Sequence, residues 1–191
     1  MLQVFGYVSA ILSIIMIIPY IWDILHKKAQ PERGSWLIWT VLGSISFFSQ
    51  MAKGATYSLW FTGTQTVAVL IILLFSIKYG YGGLAKRDTK ALIGAGVGLV
   101  LWYLTKEAAI ALFIVIMVDA IGVYLTTIKS YEHPESETLT MWLMSSASGF
   151  FGMLAVGGFN PILLLYPFYI VMANLVVVAA ILLGRRNFKK I

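Results

Sequence analysis

Seven stretches of this chain are apolar over a length close to that of a bilayer, and this constrains what it can fold into more than any other feature. A hydrocarbon core about 30 Å thick needs roughly 20 apolar residues per helix. The stretches are Val4–Leu25, Ser35–Ala52, Ser58–Ile77, Ala91–Thr105, Ala108–Thr127, Leu139–Val156 and Ile162–Leu183. The fourth is short and carries Gly94, Gly96 and Gly98, which weaken it as an independent helix. Only 12% of the residues are charged, against about 25% in an ordinary soluble domain. That leaves too little polar surface to cover a soluble globule, so an all-α integral membrane protein is expected.

The chain also says one thing twice. Shifted by 103 residues, Pro31, Glu32, Trp39, Phe47, Phe48, Ala52 and Gly54 fall on Pro134, Glu135, Trp142, Phe150, Phe151, Ala155 and Gly157. One further residue of slippage upstream brings Tyr20 onto Tyr124 and Ile24 onto Ile128. A period this long in so apolar a chain points to a duplicated membrane unit. The expected organisation is a first three-helix repeat over 1–78, a linker helix over 79–107, and a second three-helix repeat with a basic tail over 108–191.

Lys and Arg set the expected orientation. With the N-terminus outside, the cytoplasmic loops hold Lys27, Lys28, Arg33, Lys78, Lys86, Arg87, Lys90 and Lys129, and the tail adds Arg185, Arg186, Lys189 and Lys190. Lys53 and Lys106 alone remain outside. This split puts the C-terminus in the cytoplasm and accounts for the net charge of +6 without a nucleic-acid partner. An unmatched fourth helix lets both units enter the membrane in the same direction, giving parallel repeats in a 3+1+3 arrangement. Trp22, Trp36, Trp39 and Trp142 then lie toward the cytoplasmic ends of their helices, and Trp60 and Trp102 toward the outer ends. Interfacial anchoring is the expectation for them, with substrate stacking as the alternative for one.

A parallel 3+1+3 heptahelix of this size resembles the SWEET and PQ-loop (MtN3-saliva) transporter superfamily. The stretch PYIWDILHKK, followed by a polar turn, Ser35 and a second helix ending at Gly54, is similar to the first-repeat pattern of SWEET proteins. No Pro-Gln dipeptide occurs: the first copy has Pro19-Tyr20 and the second Val123-Tyr124. The resemblance implies hinges at prolines within the membrane, here Pro19, and transport of a small solute by alternating access between the repeats. It also implies a substrate-holding asparagine in the last helix, a position that Asn174 matches.

Asp119 is the most informative single residue. It lies about 16 Å from the outer end of the fifth stretch at 1.5 Å per residue, close to the bilayer midplane. An ionisable group there is costly and reads as functional by default. The alternative is an acid hydrogen-bonded to a neighbouring helix, gluing the bundle. The first repeat has Ile15 at the matching place. Asn174 lies about 18 Å from the same side, in the same layer, and Gln65 about 10 Å from it. These three are the candidate substrate-binding residues, with Asp119 also the candidate proton carrier. Pro167, in YPFY, is expected to kink the last helix and act as a second hinge. Asp23 and Lys27, four apart, can pair on one helix face. With Lys129 and Glu135 they form a candidate inner gate, against the simpler reading of a solvated charged cap.

Several chemistries are disfavoured. Cysteine is absent, which excludes disulfides, thiolate metal sites and cysteine nucleophiles. His26 and His133 alone do not make a metal site, and GAGVG lacks the spacing and preceding strand of a nucleotide loop. No second embedded acid accompanies Asp119, so an intramembrane enzyme is not expected, nor is any cofactor. The expected partners are the lipid bilayer and a small polar solute such as a sugar or amino acid. Oligomerisation is not required, because duplication supplies both halves of a pore. The rival reading is a receptor or assembly protein that binds without transport. The cytoplasmic membrane is the expected location, with an organelle membrane left open.

Overall fold

The computed structural model describes residues 1–29, 31, 33–80, 86–105 and 107–188. Among them the chain is helical throughout its regular structure: α1 (Leu2–Ile15), α2 (Ile17–Leu25), α3 (Arg33–Ala52), α4 (Leu59–Tyr79), α5 (Lys86–Thr105), α6 (Ala108–Glu132), α7 (Leu139–Leu154) and α8 (Pro161–Phe188). A single 3-10 turn, Pro134–Ser136, joins α6 to α7. Among the described residues four helices are long and apolar enough to cross a membrane: Leu2–Leu25 taken together, Leu59–Tyr79, Ala109–Glu132 and Pro161–Asn187. Trp36–Ala52 and Leu139–Leu154 are apolar but shorter. Outward-facing side chains such as Ile18, Leu74, Ile77, Phe113 and Leu183 are exposed. Helices apolar on the outside as well as the inside mark a membrane protein.

The break between α1 and α2 has a local cause. Pro19 has no N–H to give the carbonyl four residues back, that of Ile15, and its ring crowds that oxygen. The turn at Met16 is placed there. Pro167 also stands inside a helix, yet α8 runs through it as one element.

Helix ends explain a departure from expectation. Lys28 N–H donates to the Asp23 carbonyl and Lys27 N–H to that of Ile24, closing α2 with Lys27 in the left-handed region at φ 59. Lys27 has therefore left the helix face it was expected to share with Asp23. The Asp23 carboxylate instead accepts a hydrogen bond from Thr138 Oγ1 at 2.9 Å, tying α2 to the start of α7. Gly54 closes α3 in the same manner, with Ala55 N–H on the Gln50 carbonyl. Gly54 and Gly157, matched in the repeat, share φ +79.

Packing pairs the helices across the sequence. Helix α1 packs on α4 and α7, α3 on α4 and α6, α8 on α6 and α7, and α5 lies against α6 and α3. Ser13 bonds Ser148 Oγ at 2.6 Å and Ser148 donates to the Ser9 carbonyl at 2.8 Å, so a buried serine seam joins α1 to α7. The contact of α3 with α6 is apolar, with Ile38, Leu42 and Ile45 in one cluster with Ala111, Leu112 and Val115.

Two apolar clusters result. One gathers Met16, Tyr20, Ile24, Trp36, Ile72, Met141, Trp142 and Ile181 toward the end where α2 stops and α3 and α7 begin. The other surrounds Phe61 and Tyr166 toward the opposite end, their ring centroids 6.3 Å apart. Gly152 lets α7 reach Phe61, because a Cβ there would lie 2.8 Å from the Phe61 Cβ and Cγ. Gly96, on α5, has nothing within 4 Å of that position. Gly152→Ala should therefore destabilise by about 1–3 kcal/mol through overpacking. Gly96→Ala should be neutral or stabilise by up to about 1 kcal/mol through helix propensity. Unfolding of both variants in mild detergent checks the contrast.

Candidate functional site: a cavity between the two apolar clusters

Small residues and bends open a cavity where the two clusters meet. Met16, at the α1–α2 break, forms part of its wall, as does Gly43 on α3, where a Cβ would lie 2.9 Å from Thr66 Oγ1. The space open to the centres of water-sized molecules is ≈ 80 Å³, where one water requires about 10–15 Å³ on the same measure. Contributions come from the α1–α2 break and from α3, α4, α6, α7 and α8.

The three candidate substrate-binding residues of the sequence, Asp119, Asn174 and Gln65, all line this one cavity. Their arrangement turns on a residue that sequence reasoning passed over. Ser145 Oγ on α7 accepts from Gln65 Nε2 on α4 at 3.2 Å and from Asn174 Nδ2 on α8 at 3.1 Å. Asn174 Nδ2 also donates to the Ile170 carbonyl at 2.7 Å, which fixes the amide orientation, since a carbonyl can only accept. Asn174 is buried, whereas Asp119 is partly exposed within the bundle. Tyr169 Oη donates to Asp119 Oδ2 at 2.6 Å, the length of a hydroxyl–carboxylate bond. The indole of Trp39 lies within interaction range of the same carboxyl.

Tyr169 and Ser145 were absent from the sequence expectation. In YPFY the proline is the stronger signal than the tyrosines, and SSASGFFG reads as a small-residue face, in which no single serine stands out. A signal for Ser145 did exist: Asn174 and Gln65 are amides on separate helices, and buried amides require a partner.

The tryptophans divide. Trp22 and Trp60 are exposed, as interfacial anchors are. Trp36 and Trp142 are buried and, with Trp39, line the cavity, so interfacial anchoring does not describe those three. They face inward because the short helices α3 and α7 are packed on several sides. Trp142 Nε1 donates to Glu137 Oε2 at 3.1 Å, which satisfies its polar edge while the ring meets the cavity. Trp39 and Trp142 are a matched pair of the repeat.

The expected inner gate is only partly assembled. Asp23 is bonded to Thr138 rather than Lys27, Glu135 lies 3.7 Å from His133 in an exposed turn, and the Lys129 side chain lies outside the described residues. Pro19 sits beside the cavity-lining break and Pro167 beside Tyr166. Among the described residues no group of His, Cys, Asp and Glu is arranged to hold a metal.

Ser145→Ala should destabilise by about 1–3 kcal/mol, because it strips two amide donors of their shared acceptor. Gln65→Leu in the same background should cost less than it does in the wild type, and a double-mutant cycle in detergent reads the coupling. Compared with protein-family models, curated proteins and solved structures, the chain has no match.

Proposed function

We propose that this chain is a membrane transporter of a small polar solute, a divergent relative of the SWEET and PQ-loop superfamily working by alternating access. The observation that carries the reading is the cavity: it is lined from both halves of the chain and bracketed by an apolar cluster at each end. A site of this kind becomes a carrier when the two clusters open in turn. Asp119, Asn174 and Gln65 would hold the solute, and Asp119 would take up and release a proton as the cavity changes sides.

The repeat architecture proposed is two parallel three-helix units, α1–α4 and α6–α8, with α5 between them, N-terminus outside and C-terminus in the cytoplasm. Helix packing supports it. Exchanging the α1–α2 unit with α6, α3 with α7, and α4 with α8 carries the α1–α4 contact onto α6–α8 and the α3–α4 contact onto α7–α8. The same exchange carries α1–α7 onto α6–α3. The identical backbone of Gly54 and Gly157 adds to this. The break at Met16 beside Pro19 would serve as a hinge, and Pro167 as a second one. The Asp23–Thr138 bond would be one inner-gate contact broken on opening, with Lys27, Lys129 and Glu135 around it.

Orientation is testable directly, because the native chain has no cysteine. Phe159→Cys, at a position 90% exposed in the α7–α8 connection, should be labelled by an impermeant maleimide added to intact cells. Lys28→Cys should be labelled only after permeabilisation, and the reverse pattern would overturn the topology.

Transport is tested in proteoliposomes loaded with a metabolite mixture and assayed by mass spectrometry. Loss of one solute class to the outside, reduced at least about tenfold in Asp119→Asn, is the expected result for removal of a charged hydrogen-bonding group. Saturable binding without flux would favour the rival reading, a receptor or assembly protein of the same fold.

A further inference from the structure

The cavity wall has a chemical bias that narrows its occupant. Among the described residues that line it, Asp119 alone carries a formal charge, and none is a lysine, arginine or histidine. The donors are largely engaged within the protein. Asn174 directs Nδ2 to Ser145 and to the Ile170 carbonyl, which leaves Oδ1, an acceptor, as its remaining polar atom. The Thr66 hydroxyl donates to the Thr62 carbonyl at 2.7 Å, and Trp142 donates to Glu137. Gln65 donates Nε2 to Ser145, while its Oε1 is buried with no hydrogen-bond partner. Asp119 receives Tyr169 on one oxygen, and a carboxylate can accept about four bonds.

The rest of the wall suits the same kind of guest. Trp36, Trp39, Trp142 and Tyr166 all line the cavity. Trp36 and Trp39 meet edge to face at 5.0 Å, so their ring planes stand nearly perpendicular. Aromatic faces attract cations through the ring quadrupole, most strongly where water is excluded. Room for the equivalent of several waters suits a small guest.

We propose that the cavity binds a small organic cation of the ammonium class, its charge paired with Asp119 and its alkyl body held among the indoles. The inference rests on the cavity being the solute site of the proposed transporter. A cation neutralises the embedded carboxylate, so the occupied bundle carries no net charge at that depth, where an unpaired charge is costly. An anion would add a second negative charge beside Asp119. A polyol could donate its hydroxyls to the same acceptors, but it would leave the Asp119 charge unneutralised at that depth.

The test is titration of the purified full-length protein in nanodiscs, read by tryptophan fluorescence and calorimetry. The probes are choline, ethanolammonium and N-methylpyridinium, set against the uncharged 3,3-dimethylbutanol and toluene and against acetate. Saturable binding of at least one cation, weakened about 10- to 100-fold in Asp119→Asn, is expected. Asp119→Glu should keep measurable binding, and Trp39→Leu should weaken the cation while leaving the protein folded by circular dichroism. The proposal is overturned if an uncharged isostere binds as tightly as its cation, or if Asp119→Asn folds and binds the cation unchanged. Silence from every cation up to about 10 mM, which spans millimolar dissociation constants, overturns it as well. Flux separates the two readings. A cation that binds but does not cross proteoliposomes keeps the ligand class and removes the transporter. A neutral solute that crosses does the opposite.

Discussion

Within hydrocarbon every peptide N–H and carbonyl must find its partner inside the protein, and this requirement governs the bundle. It accounts for the helical character of the described chain and makes each interruption of a helix informative. The interruptions here have specific causes. Pro19 removes a donor and leaves a turn at Met16, while Lys27, Gly54 and Gly157 take left-handed backbone where helices end. The turn at Met16 falls on the cavity wall, so a place where the backbone ladder is weakest is also one where space opens.

The same requirement applies to polar side chains, which the protein resolves in two ways. At the contact of α1 with α7, Ser9, Ser13 and Ser148 satisfy one another and leave no space. Around Ser145 the polar groups are held apart by α4, α7 and α8, and the amides edge an open volume rather than fill it, with Gln65 Oε1 left without a partner. Burial of similar groups thus gives a closed seam in one place and a site in another. The difference lies in what surrounds them: Gly43 and the break at Met16 lie on the cavity wall, whereas α1 and α7 are joined directly through their serines.

Much of this was legible in the sequence. Apolar length located the helices, and polar type together with height along them placed Asp119 and Asn174 in one layer, because helical rise converts residue count into height with little error. Gln65, expected nearer the outer end, lines the same cavity. What depth cannot supply is azimuth. Whether Trp36, Trp39 and Trp142 face lipid or core depends on how the short helices are surrounded, and a tryptophan near a helix end reads the same either way. Partners across helices were equally out of reach: Ser145 and Tyr169 gain their roles only from neighbours far away in the chain. The Asp23–Lys27 pairing failed for a local reason, since a spacing of four matters only if the helix continues through it, and α2 ends at Leu25.

The two apolar clusters also have an electrical consequence. An inorganic ion entering from either end would have to shed its water against side chains such as Ile24, Ile72 and Ile181, or Phe61, Leu112 and Val115, none of which can replace a hydration shell. Apolar clusters of this kind would oppose the passage of hydrated ions. A membrane potential of 100 mV exerts about 2.3 kcal/mol on each charge carried across, and that drive would be preserved for a cargo held at Asp119 instead of being dissipated through a leak.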